Sequence, residues 1–109
     1  MKATRIFSEK QVFESIVDPS LRVFVKVELF KIPEPEAQKY PEGIKFSLLA
    51  FRSDDPNQKI LIDCHPPKGP HIHVREIEKS FEWIDLDKTY ALFWELIEKE
   101  FGKLKEVKE

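Results

Sequence analysis

The stretch KILIDCHPPKGPHIHV, Lys59 to Val74, holds two apolar-alternating runs on either side of a proline-rich loop. Period-two alternation is the pattern of a strand with one face buried, so the stretch predicts an antiparallel hairpin. Counting Pro66 to Pro70 as a five-residue loop sets His65 opposite His71. In that register Cys64 faces Ile72, Ile62 faces Val74 and Asp63 faces His73. Ile60, Ile62, Cys64, Ile72 and Val74 then form the core face. Asp63, His65, His71, His73 and Arg75 form the other. A slip by one residue would bury histidines and expose valine, which fixes the parity.

Working outward, IKFSLLAF (Ile44–Phe51) alternates with Ile44, Phe46, Leu48 and Ala50 on one side. Upstream, LRVFVKVELFKI (Leu21–Ile32) puts Leu21, Val23, Val25, Val27 and Leu29 on one face, with Phe24 and Phe30 interrupting the polar one. The Pro- and Glu-rich PEPEAQKYPEG (Pro33–Gly43) is a loop between these strands. FEWI, Phe81 to Ile84, is a candidate fifth strand.

Two segments read as helices. In FSEKQVFESIVD (Phe7–Asp18), Ser8 with Gln11 fits a capping box and Phe7 with Val12 a hydrophobic staple. Val12, Phe13, Ile16 and Val17 would share one face of this short helix. In DLDKTYALFWELIEKEFG (Asp85–Gly102), Leu86, Tyr90, Phe93, Ile97 and Phe101 make an apolar stripe, broadened by Leu92, Trp94 and Leu96. Asp85 suits the N-cap and Gly102 the stop. The expectation is a single α+β domain over 1–109. It has a curled antiparallel sheet of four to five strands, a short N-terminal helix, and a long C-terminal amphipathic helix packed on one face. Residues 102–109 should fray.

Composition narrows the function. The chain has 109 residues, with Lys+Arg 18 nearly cancelling Asp+Glu 20, so any attraction to phosphate must come from a local patch. One cysteine excludes a disulfide framework and a cysteine-based zinc site. No apolar run approaches the roughly 18 residues that span a bilayer, so a cytoplasmic protein with no membrane contact is expected. The density of Lys and Glu resembles thermophile usage.

The chemistry-bearing feature is the confinement of all three histidines, His65, His71 and His73, to one face of one hairpin. Such a patch has two chemical uses. A pair of imidazoles can serve as base and acid in phosphodiester cleavage, with no metal when the 2′-hydroxyl of RNA attacks. Here His71 and His73 would be the pair, Asp63 would orient His73, His65 would assist, and Lys68 and Arg75 would hold phosphate. Alternatively, His71, His73 and His65, or Asp63 in place of His65, would ligate a divalent transition metal. The plain alternative is a wet hairpin that happens to use histidine. Cys64, sent to the core by parity, reads as an inert thiol. Phe24, Phe30, Leu49 and Phe51 on the nominally polar face suggest an interface, with homodimerisation as one outcome, or base stacking.

GIKFSLLAFRSDDPNQKILIDCH, KGPHIHV and FEWIDLDKTYALFWELIEKEFG together resemble the TumE family, toxins of two-gene toxin–antitoxin modules. The resemblance spans Leu21 to Gly102 and is most specific at Asp63, His65, Gly69, His71 and His73. It implies a growth-inhibiting protein with a helix-turn-helix antitoxin as partner. Ribonuclease action is an expectation by analogy with other small toxins.

Overall fold

A computed structural model describes residues 3–107. Seven strands form one antiparallel sheet: β1 (Thr4–Ser15), β2 (Arg22–Lys31), β3 (Ile44–Arg52), β4 (Asp55–His65), β5 (Gly69–Val74), β6 (Ile77–Ser80) and β7 (Leu104–Glu106). Their spatial order is β6-β5-β4-β3-β2-β1-β7. One helix, α1 (Leu86–Phe101), separates β6 from β7 in sequence. The sheet and C-terminal helix are as expected from the alternation, but three expectations are corrected.

First, the segment expected as an N-terminal helix is β1, paired along β2 from Thr4 opposite Lys31 to Glu14 opposite Arg22. Its core-facing positions include Glu9 and Gln11, opposite Val27 and Val25, so the strand hides its period of two. Ladder pairing with the strongly β-prone β2 outweighs the local capping signal around Ser8. Second, the second strand of the hairpin does not continue through Arg75, a residue expected on its open face. It breaks at Arg75, which adopts a left-handed φ of 56°, and the chain returns as β6. Phe81 to Ile84 lies outside any strand; β1, β6 and β7 join the four expected strands, so among the described residues the sheet has seven rather than four to five. Third, of the tail expected to fray over 102–109, Leu104, Lys105 and Glu106 pair with Ser15, Glu14 and Phe13, while residues 108–109 lie outside the described residues.

The core lies between one sheet face and α1. Val23, Val25, Val27, Phe46, Leu48, Ala50, Ile60, Ile62, Cys64 and Ile72 meet Phe93, Ile97 and Phe101 of the helix. Trp94 packs edge-on against Phe13, and Trp83 stacks on Phe46 while its Nε1 donates to Glu42 Oε2 at 3.1 Å. Asp85 caps the helix as expected, its Oδ1 accepting from the Lys88 amide at 2.7 Å. Thr89 joins the buried stripe, whereas Tyr90 is 38% exposed. Gly102 ends the helix with φ 78°, a conformation that disfavours any side chain. Among the described residues, no helix is long and apolar enough to cross a membrane.

Among the described residues, no helix covers the other sheet face. Strand register lays it out in rows across the sheet. One row runs Val12, Phe24, Phe51, Lys59. The next runs Lys10, Lys26, Leu49, Leu61, His73, Glu78. The third runs Ser8, Glu28, Ser47, Asp63, His71, Ser80.

Candidate functional site: an Asp–His–His cluster on the open face

The parity of the hairpin is as expected, and its register is shifted by two. Asp63 stands opposite His71 and Leu61 opposite His73, with His65 opposite Gly69 and Cys64 opposite Pro70. The loop is therefore Pro66 to Lys68, shorter than the sequence count, because Gly69 and Pro70 already belong to β5. Gly69 sits at φ 77°, which lets the chain re-enter the ladder this early. Parity survives because the shift is even, so Asp63 and both histidines of β5 still share the open face.

The three side chains converge. His71 Nε2 lies 2.9 Å from Asp63 Oδ1, and His73 Nε2 lies 4.0 Å from the same oxygen. The two imidazoles meet edge to face with centroids 4.7 Å apart. Ligand-capable atoms of Asp63, His71 and His73 all lie within 4.8 Å of one another. His71 is buried, at 6% exposure, while Asp63 and His73 are half-buried and open to one side. His71 Nδ1 is 2.8 Å from the carbonyl oxygen of Gly69. A carbonyl accepts and cannot donate, so Nδ1 carries the proton of that bond.

Glu78 of β6 is a member that sequence reasoning missed. Its carboxylate lies 3.9 Å from His71 Nε2 and 3.9 Å from His73 Nδ1. The Lys68 ammonium, 3.2 Å away, is the main reason that its carboxyl titrates below the usual range, with the two histidines adding to the effect. Only the β5–β6 turn brings it there, and that turn uses Arg75 in a left-handed conformation rather than an Asn-Gly signature.

The remaining expected site residues are placed differently. His65 is exposed and lies beyond Asp63 along β4, outside the cluster. Lys68 approaches the cluster through Glu78. Arg75 turns away and pairs with Glu100 on α1. Cys64 lies in the core at 1% exposure, where burial pushes its thiol pKa up, assisted by the Asp63 charge.

Beside the cluster on the same face, Lys10, Val12, Phe24, Lys26, Leu49 and Phe51 line a shallow depression of about 550 Å³. Phe24 and Phe51 pack with centroids 5.5 Å apart. Comparison with known proteins finds no matching family model, no matching curated protein and no matching solved structure.

Proposed function

We propose that the chain is the toxin of a two-gene module and acts on RNA, with Asp63, His71 and His73 at the centre of its action. The observation that carries this reading is the shared face. The cluster, two aromatic rings and the lysines Lys10, Lys26 and Lys59 occupy adjoining rows of one uncovered sheet. Lysines attract a phosphate backbone, and exposed rings stack bases at about 1–3 kcal/mol each without reading sequence. A strand laid along the rows would pass from Phe24 and Phe51 over Leu49 and Leu61 to His73. The cluster supplies groups able to move protons or gather charge at a phosphodiester. The partner implied is a helix-turn-helix antitoxin, and the compartment the cytoplasm, with no membrane role.

The test is growth inhibition together with cleavage of single-stranded RNA by purified protein. His73→Ala and Asp63→Asn should abolish both while circular dichroism and melting stay native. Unchanged toxicity in both variants would sink the reading.

The depression around Phe24 and Phe51 favours a second reading, a non-catalytic module that docks a protein or a second copy of itself. Phe24→Ala combined with Phe51→Ala would then abolish association in sedimentation experiments, while the histidine variants associate normally.

A further inference from the structure

We infer that Asp63 Oδ1, His71 Nε2 and His73 Nε2 are three ligands of one divalent transition-metal ion. The argument starts from the Gly69 carbonyl. His71 Nδ1 donates to that oxygen, which turns Nε2 toward Asp63, and in the neutral tautomer so fixed Nε2 offers a lone pair. A nitrogen lone pair and a carboxylate oxygen 2.9 Å apart are two acceptors in contact, which repel unless something positive lies between or beside them.

A proton on Nε2 is the first remedy to consider. The close approach is not by itself an N–H···O bond: Asp63 Oδ1 is shielded from solvent and has no hydrogen-bond partner. A cation meets both lone pairs at once. Divalent transition ions hold nitrogen and oxygen ligands at about 2.0–2.2 Å, so two neighbouring ligands of an octahedral ion stand about 3 Å apart. The 2.9 Å separation has that geometry. His73 Nε2 lies 4.0 Å from the shared oxygen, wider than two neighbouring ligands, and would close on the ion by a small turn of its partly exposed ring.

The surroundings suit such an ion. Ligating histidines commonly donate their other ring N–H to a carbonyl or carboxylate, which fixes ring and tautomer. His71 has the Gly69 carbonyl in that place, while Glu78 stands near Nδ1 of His73 at 3.9 Å, beyond a direct hydrogen bond. Two imidazoles with one carboxylate favour zinc, cobalt, nickel or iron over the all-oxygen sites of magnesium and calcium. The half-exposed side of the cluster leaves room for water or substrate on the ion. This assignment stands whether or not the substrate is RNA, and it replaces the metal-free imidazole pair as the chemistry of the cluster.

The experiment uses untagged full-length protein, stripped with chelator, and titrated with Zn²⁺ by calorimetry and with Co²⁺ by visible absorption. One ion should bind per chain. Asp63→Asn, His71→Ala and His73→Ala should each weaken binding by tenfold or more, and His65→Ala should leave it unchanged. Because His71 is buried, its variant is read only if its circular dichroism is native; Asp63→Asn and His73→Ala carry the test otherwise. No stoichiometric binding, or equal loss in His65→Ala, overturns the site. Stoichiometric binding without RNA cleavage would retain the site and remove the RNA reading. RNA cleavage in chelator by protein that binds no ion would do the reverse.

Discussion

Strand β4 shows two different solutions on its two faces. On one, Ile60, Ile62 and Cys64 are at most 1% exposed and meet β3, β5 and the helix. On the other, Lys59, Leu61 and Asp63 are half-covered and His65 is exposed. The first face is specified by volume and dispersion, where any polar atom would cost. The second tolerates a carboxylate oxygen with no hydrogen-bond partner beside a buried imidazole. A fold that satisfies its packing on one side of a strand can carry unsatisfied chemistry on the other. The difference puts the polar, partly unpaired groups of β4 on the open face, where the proposed site lies.

The covered face should break first. Phe93→Ala leaves a cavity at a fully buried position and should cost about 3–5 kcal/mol in chemical denaturation. Phe51→Ala on the half-covered side should cost less than half as much; equal losses would mean that the open face is also a folding core. Cys64 sharpens the same contrast. Its raised pKa and burial keep the thiol protonated and shielded at neutral pH, so alkylation of native protein should be slow and limited by opening of the fold. Labelling as fast as in denatured protein would remove Cys64 from the core.

The helix that makes one face covered depends on its cap. Asp85→Ala should cost about 1 kcal/mol by losing the bond to the Lys88 amide, without altering ion binding. The smallest effect belongs to neither face. Asp54, hydrogen-bonded by Arg52 at the β3–β4 turn, titrates below its ordinary range. A lowered folded pKa means that its stabilisation is present above the ordinary carboxylate range and lost as pH falls through the folded value. Asp54→Asn should therefore differ slightly from the parent at neutral pH and converge with it in acid. A difference that grows in acid would contradict the pairing.

How far the sequence reveals this molecule depends on which signal each segment carries. Parity was legible from Ile60 to Val74 because one wrong step would bury histidine. The register was not, because Gly69 and Pro70 look like loop residues and are ladder residues. The C-terminal helix was legible from its stripe, its Asp85 cap and its Gly102 stop. The N-terminal strand was hidden because Glu9 and Gln11 occupy positions where alternation would place apolar side chains. Asp63, His71 and His73 could be assembled from one hairpin, while Glu78 needed a turn through Arg75 that no glycine or asparagine announces.

Gly69 shapes the hairpin, and its own carbonyl holds the ring of His71. Turn and imidazole therefore move as one part, and the loop works as a lever on the cluster. A side chain added at Gly69 would meet no atom within 4 Å, so Gly69→Ala isolates the backbone cost of the left-handed conformation, about 1–2 kcal/mol. Relief of that strain would rotate the carbonyl and release Nδ1 of His71. A change that touches neither ligand nor solvent-facing chemistry can thus unseat the ring that faces Asp63. The aim of the cluster is set two residues before His71, in the dihedral angle of a residue that has no side chain.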